Sequence, residues 1–540
     1  MAFLTIDLGT THCKAAVMHL DGGMVSSRSI PTVTERDAAG AYFYDPEKLW
    51  MRVLYLLIIT CGEVSEGIHA IGITGMAEAG LFVHHRTGEP LTAIIPWFDM
   101  RTESLYLQMQ GDMDRYERFR RTGLHNHYKY SVYKMKWLLD NEIEAGGESA
   151  VARSDLLWLS LPDFIAYRLT SVAATDSSLA ARTYLFDINT GEWIEEYIAA
   201  AGISGIQLPE VRQSGSIIGT VDSSVYRQDS LIAAARHGYS ERVPDLTGAA
   251  VTIAGHDHLC AALAAGVIEN DILFDSLGTA ESLLAVAESG RLGRDEVASG
   301  FSFGPHVLEN RFCWLGSVAA SGDSVEWIRS VLSCRRAGKE REKLYEQGEL
   351  GYDEMMGLLE QAPAGPTGIF YLPYLTGSNA PIIDPNMSAA FIGLKKSHGT
   401  AALLKAVLEG ISYEFEWIRR EAAAHVHLDT DVIRCVGGGT RNTHLMQLKA
   451  DMTNCTIEVL QHAEAGLLGA MWVSALYGTN ECTLDDIMRL QQEMMKRERP
   501  AIYSPDPERS SRYALLFSGG YRALQEPFRS LVTELYRGTR

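Results

Sequence analysis

Four groups of residues in this chain have types and spacings suited to chemistry. Near the start, Asp7, Gly9, Thr10, Thr11 and Lys14 fall within TIDLGTTHCK. Glycine admits a phosphate to the backbone, threonine hydroxyls donate hydrogen bonds, lysine offsets phosphate charge, and an acid can hold Mg²⁺ through water. Further on, Gly437-Gly438-Gly439-Thr440-Arg441-Asn442 separates a strand-like run from a helix-like one. Such a loop turns bare backbone and a helix N-terminus toward a nucleotide. Asp257 stands between His256 and His258, ahead of the apolar run LCAALAAGV, where a carboxylate in a cleft could act as a general base. Trp97, Asp99 and Arg101 form W-x-D-x-R, a ring for the apolar face of a sugar beside groups that bind hydroxyls.

Each group also has an ordinary structural reading, and taken alone that reading is the stronger. The DLGT turn is a hairpin turn, and the glycine run is a tight strand-to-helix connection. Asp257 reads as a helix N-cap, or with its histidines as part of a metal site. W-x-D-x-R reads as an aromatic beside a salt bridge. Tyr128, Lys129, Tyr130, Lys134 and Trp137 are equally open between packing and recognition. The chain contains no GxxxxGK[ST], so a P-loop is not its route to a nucleotide.

The elements that must position these residues follow from local pattern. Phe3–Asp7 and Lys14–Met18 are β-prone runs around a Gly/Thr turn, which predicts a hairpin. A second copy of the phrase, Asp271–Asp275, LGT at 277–279, then Ser282–Val286, lies about 270 residues downstream. That distance suits two related domains rather than a solenoid. Further strands are expected at His69–Thr74, Leu91–Ile95, Val432–Val436 and Thr456–Leu460. Helices are expected at Ala401–Ala424, Asn442–Thr453 and Glu464–Tyr477. Strands alternating with helices, with glycines at strand ends, indicate an α/β architecture that binds ligands there. The polar 211–247 segment is the expected boundary, dividing the chain into 1–247, 248–480 and a helical tail at 481–540.

Bulk properties narrow the partners. A chain of 540 residues is more than one core usually serves. Its formal charge of -20 repels nucleic acid and anionic lipid, so neither is an expected partner. Cys13, Cys61, Cys260, Cys313, Cys334, Cys435, Cys455 and Cys482 are scattered, with no CxxC pair, which fits a reducing compartment. The N-terminus lacks a basic region ahead of an apolar stretch, and no apolar run approaches the roughly 20 residues of a membrane span. A cytoplasmic location is expected.

The order of the motifs is more specific than any one of them. TIDLGTTHCKAAV, IGITGMAEAG, IIPWFDMRT, YKMKWLLDN, AGHDHLCAALAAG, DSLGTAESL, GSVAASGDSVEWI, YLPYLTGSNAPIIDP, AAFIGL, LLKAVLEGISYEF, VGGGTRN and EAGLLGAMWVSAL run in sequence. Together they resemble the FGGY carbohydrate kinases over about residues 3–480. The resemblance implies two actin-like (ribonuclease H-like) domains around a cleft, Mg²⁺ and ATP, and transfer of phosphate to a hydroxyl of a small sugar or polyol. It makes Asp257 the catalytic base and Asp7, with Asp257, the Mg²⁺-associated acids. Gly9, Thr10, Thr11 and Lys14 would contact phosphates. Gly278 and Thr279 would form the second phosphate loop, Gly322 and Glu326 the third nucleotide segment, and Gly438, Gly439 and Asn442 the adenosine border. Met76, Ala77, Glu78, Trp97, Asp257 and His258 would face the acceptor. A homodimer is a possible assembly for such a chain.

Departures bear on the acceptor. IGITGMAEAG lacks the QMHG of a typical xylulokinase, and Ala77 stands where the glycerol kinase pattern has arginine. His258 follows the catalytic acid where glutamine or asparagine is common, and Ser378-Asn379 replaces a frequent Glu-Arg. A xylulose-like ketose and a glycerol- or tetritol-like polyol both stay open. The competing readings are an actin-like ATPase without a small acceptor and a sugar-binding regulator on the same fold. Asp257, W-x-D-x-R and VLEGISYEF favour the kinase.

Overall fold

The computed structural model describes every residue except 63, 110–113, 146–150, 224, 226–244, 288–289, 334–349, 462–463 and 539–540. Cys334 and much of the expected 211–247 boundary therefore lie outside the described residues.

Two mixed sheets organise the chain. The first holds β1 (Ala2–Leu8), β2 (His12–His19), β3 (Met24–Pro31), β4 (Ile68–Gly75), β5 (Ile217–Thr220) and β6 (Ala250–His256), in the order β5-β6-β4-β1-β2-β3. The second holds β7 (Leu273–Leu277), β8 (Glu281–Ala287), β9 (Ser302–Pro305), β10 (Phe312–Val318), β11 (Val432–Val436), β12 (Thr456–Val459) and β13 (Ala501–Tyr503), in the order β9-β10-β8-β7-β11-β12-β13. In each sheet an antiparallel meander (β1-β2-β3, β7-β8-β10) adjoins two parallel strands (β4-β6, β11-β12) and ends on an antiparallel edge (β5, β13). The two halves thus share one topology, with β9 as the addition. The LGT repeat marks the same hairpin in both.

Central strands are apolar on both sides because helices cover both sheet faces. Phe3, Leu4, Thr5 and Ile6 of β1 are all buried. Helix α1 (Pro46–Cys61) starts where Asp45 accepts a hydrogen bond from Lys48 N (2.9 Å), with proline in the first turn. Helices α2 (Asp257–Ala264), α3 (Ser321–Ser333), α4 (Thr400–His425), α5 (Thr443–Thr453) and α6 (Ala465–Val473) carry the remaining motifs. Helix α2 follows the first sheet and α6 the second, and the two cross at small residues. A Cβ on Gly469 would stand 1.8 Å from Cys260 O, so only glycine permits the approach. The Trp472 indole of α6 donates to Leu20 O (3.0 Å), tying the second half to the first.

Three expectations are corrected. The 247/248 boundary would give Ala250–His256 to the second unit, yet β6 pairs in parallel with β4 through Ala250↔Ala70 and its neighbours. The chain leaves the first sheet only after that strand, and Asp257 sits at the crossing. The tail from 481 is no separate unit. β13 closes the second sheet, Tyr513 donates to Glu409 Oε1 (2.9 Å) and Tyr521 to Glu414 Oε2 (2.6 Å), both inside the α4 core. Leu91–Ile95 forms only isolated bridges, Ile94 to Tyr44 and Ile95 to Gly80, because Pro96 and the turns around it break the ladder.

Candidate active site

At the seam of the two halves, β1, β6 and α6 converge. Asp7 lies at the end of β1, opposite Lys14 on β2 and Thr74 on β4. Its Oδ1 is sequestered and has no hydrogen-bond partner among the described residues. Burial, with Asp257 and Glu464 nearby, pushes its carboxyl up to about 8, against the opposing pull of Lys14. Gly466 on α6 leaves the space: a Cβ there would stand 3.5 Å from Asp7 Oδ2 and 4.0 Å from Asp257 O. An orphaned buried carboxylate oxygen facing a second carboxylate is an environment that a divalent cation would stabilise.

Asp257 opens α2 at its first position, after His256 at the cap. His258 N donates to its Oδ1 (2.7 Å), and His256 Nε2 stands 3.3 Å from the same oxygen. Burial pushes His256 down to about 4, so at neutral pH it is an uncharged neighbour. Donor atoms of His256, Asp257 and His258 lie within 4.8 Å of one another, which keeps the metal reading of this triplet geometrically open. Behind it, His256 N donates to Ser178 Oγ (2.9 Å), and Ser178 donates to Asp176 Oδ2 (2.7 Å). Gly255 has φ +114, and a Cβ there would meet Ser178 Oγ at 2.6 Å.

Beside the first hairpin turn, Trp97 Nε1 donates to Thr10 Oγ1 (3.0 Å), joining the aromatic to that turn while leaving the residue 37% exposed. Glu78 holds a left-handed conformation (φ 62), unusual for a non-glycine residue. Arg182 Nε and Nη2 both reach its Oε1 (3.0 and 2.6 Å). Burial opposes the charge of Glu78, but Arg182, Lys129 and His256 outweigh it and hold the carboxyl down to about 2. Met76 and Ala77 are buried in the core of the first half and shape the turn that leads to Glu78. Asp99 and Arg101 serve structure: Asp99 accepts from Arg101 Nε (2.7 Å) and Tyr42 N (2.5 Å), while Arg101 Nη2 donates to Tyr42 O (2.6 Å).

The segments expected to border the nucleotide meet at the second hairpin turn. A Cβ on Gly322 would stand 2.3 Å from Gly278 O, and Asp323 N donates to Thr279 O (3.2 Å). Gly437 (φ +95) and Gly439 close on the other side, each within 2.8 Å of Leu277 if given a Cβ. Gly438 has open space. Asn442 caps α5 by accepting from Leu445 N (3.1 Å), and its Nδ2 is buried without a partner among the described residues. Two expected contacts are otherwise engaged. Lys14 Nζ donates to Glu464 Oε2 (2.8 Å), and the Glu326 carboxylate receives Arg329 and the Tyr352 hydroxyl.

The structure therefore gathers Asp7, Asp257, Thr10 and Trp97 at one seam and Gly278, Thr279, Gly322 and Gly439 at another. Sequence reasoning passed over Glu464 and Arg182. Glu464 carries a signal, since it opens the recognised EAGLLGAMW phrase. Arg182 carries none, because its meeting with Glu78 spans 104 positions.

The model of the FGGY family of carbohydrate kinases, N-terminal domain, matches residues 2–263, and that of the C-terminal domain matches residues 276–477. A glycerol kinase of Bradyrhizobium diazoefficiens is 26% identical over 492 residues, covering 88% of this chain and 89% of the relative. One of Streptococcus gordonii is 26% identical over 530 residues, 97% of each chain. Among solved structures, the ligand-bound xylulose kinase from Lactobacillus acidophilus superposes with a TM-score of 0.81 at 20% identity, over 99% of both chains. The Plasmodium falciparum glycerol kinase with ADP gives 0.79 at 21%, over 97% of this chain and 98% of that one. Such structural likeness at low identity establishes the two-domain actin-like fold. The chain belongs to the FGGY family of carbohydrate kinases, phosphotransferases that use ATP and take an alcohol group as acceptor.

Proposed function

We propose that this kinase phosphorylates a hydroxyl of a small sugar or polyol with Mg²⁺ and ATP, using Asp257 as base. The observation that carries this reading is the position of Asp257, at the start of α2 where the chain leaves the first sheet, bordered with Asp7 by Gly466 of the other half. A xylulose-like ketose and a glycerol- or tetritol-like polyol are the starting acceptors, in line with the relatives and structural neighbours.

In this mechanism the acceptor O–H gives its proton to Asp257. A new bond forms from that oxygen to the γ-phosphorus, the β–γ bridging P–O bond breaks, and ADP leaves with the electron pair. Such a transfer needs mainly positioning and charge stabilisation. Asp7 and Asp257 would hold Mg²⁺, which supplies charge neutralisation at the phosphates when bound. The Thr10 and Thr11 region and the Gly278–Thr279 turn offer backbone and hydroxyl donors to phosphate oxygens. Trp97 orients the acceptor from the exposed face of its ring. Lys14 would exchange Glu464 for phosphate once nucleotide is present. A cytoplasmic location and a homodimer complete the reading, the latter checked by light scattering.

The test is ADP release from Mg²⁺ and ATP across polyols, ketoses, aldoses and sugar acids, with Asp257→Asn alongside. One compound should accelerate turnover, and the variant should lose about 100- to 10,000-fold in kcat. ATP binding with no acceptor stimulating turnover would favour a partner-dependent ATPase instead.

A further inference from the structure

The acceptor side of the seam holds more positive charge than its own carboxylate balances. Arg182 and Lys129 both approach the ring of buried Tyr130, Arg182 Cζ at 5.4 Å and Lys129 Nζ at 5.6 Å from its centroid. Ser131 Oγ donates to Glu78 O (3.4 Å), which binds the 128–131 turn to the same spot. Glu78 Oε1 is occupied by both Arg182 donors. Among the described residues no carboxylate lies within ion-pair reach of Lys129 Nζ, whose one close partner is the Tyr130 face. Lys134 is fully buried and spends its ammonium on Lys129 O. His127 and His256 are kept neutral by burial.

A lysine ammonium that shares one aromatic ring with an arginine in a sheltered site is costly unless an anion completes it. Burial and Arg182 together push Lys129 down to about 8, with Glu78 opposing, so it is still mostly charged at pH 7. The charges of Arg182 and Glu78 act on His256, whose Nε2 is 3.3 Å from Asp257 Oδ1. An anion on Lys129 would therefore belong to the molecule whose hydroxyl meets the base.

We propose that the acceptor is a hydroxylated carboxylate, a sugar acid whose carboxylate pairs with Lys129 while a distant hydroxyl faces Asp257. The carboxylate class is preferred to a sugar phosphate on charge. Lys129 leaves one positive charge to match, whereas a phosphate monoester brings about -1.5 to -2 close to Asp257 and Asp7. This inference rests on the kinase reading and narrows its acceptor.

The experiment pairs each acid with its neutral polyol: glycerate with glycerol, threonate with threitol, xylonate with xylitol and gluconate with glucitol. ADP release is measured for wild type, Lys129→Met and Lys129→Arg, and a thermal melt confirms that each variant is folded. The expected result is that one acid exceeds its neutral partner in kcat/KM. Lys129→Met should then reduce the acid-over-neutral ratio by about 10- to 100-fold, mostly through KM, and Lys129→Arg should restore much of it. If Lys129→Met is unfolded, loss of discrimination in a folded Lys129→Gln serves the same purpose. Preference for a neutral member, or a ratio that Lys129→Met leaves unchanged, overturns the sugar-acid inference and leaves the kinase standing. No turnover with any member of either class, nor with the wider panel, would overturn both.

Discussion

The two hairpins that mark the duplicated halves use an acid in opposite ways. In the first, Asp7 directly precedes Leu8-Gly9; in the second, Asp275 precedes Leu277-Gly278 by one residue more, and Ser276 takes the place equivalent to Asp7. Side chains alternate along a strand, so that one-residue shift moves the carboxylate to the other face. Asp7 opens toward the seam with an unpartnered Oδ1. Asp275 points into the core, where Lys449 Nζ is bound to it and to Glu281 Oε1 (2.7 Å), all three fully buried. The turns differ as well: Leu8 pairs with Cys13, but Leu277 pairs with Glu281, one residue closer. One hairpin keeps a buried carboxylate oxygen unpartnered at the seam among the described residues, and its twin spends its carboxylate on cohesion. Duplicated topology therefore does not imply duplicated chemistry.

That contrast can be broken by substitution. The largest expected effect is on catalysis: Asp7→Asn should lower kcat/KM by about 100- to 1,000-fold while melting near wild type, as read by ADP release beside calorimetry. Unchanged turnover would remove Asp7 from the machinery. On the second hairpin, Lys449→Met should cost about 3–5 kcal/mol of stability by stranding two buried carboxylates, as read by urea unfolding. A variant as stable as wild type would mean that the buried triad is not what holds this sheet to α5.

A smaller effect lies in pH. The folded carboxyl of Asp7 titrates at about 8, above its ordinary 3.8, so between these values the folded state holds a proton that the unfolded chain has released. Stability from this group is therefore present at acid pH and lost as pH rises toward 8. Asp7→Asn should flatten the fall in unfolding free energy between pH 5 and 8 by at most about 1.4 kcal/mol per pH unit, as read by urea unfolding at each pH. Glu78 works in reverse: held down to about 2, it contributes stability above its ordinary 4.5 that is lost as pH falls toward 2. A pH profile of Asp7→Asn that parallels wild type would show that Asp7 is ionised in the folded state.

Much of the fold was legible because its signals are local. Val432–Val436 is a strand at the expected residues, and Ala401–Ala424 lies within α4, since apolar spacing and the flanking glycines are sufficient there. Leu91–Ile95 misled because an apolar run of strand length can also cross the end of a sheet as a connection. The 247/248 boundary failed for a different reason. Nothing within Ala250–His256 records that its partner is β4, some 180 positions earlier. Lys14 was read as a phosphate ligand, and only the fold revealed Glu464 beside it.

The sequence alone determined the family, the repeated hairpins and the glycines, because these are residue types in a fixed order. Gly322 illustrates the other part: its identity is visible in the chain, but the need for it is the 2.3 Å between its absent Cβ and Gly278 O, across 44 positions. Tertiary structure alone decided which charges meet, joining Arg182 to Glu78, Lys449 to Asp275 and Lys14 to Glu464, and leaving Lys129 without a carboxylate among the described residues. Electrostatic pairing acts over a few ångströms in space, and the order of residues along the chain does not encode which distant groups will come that close.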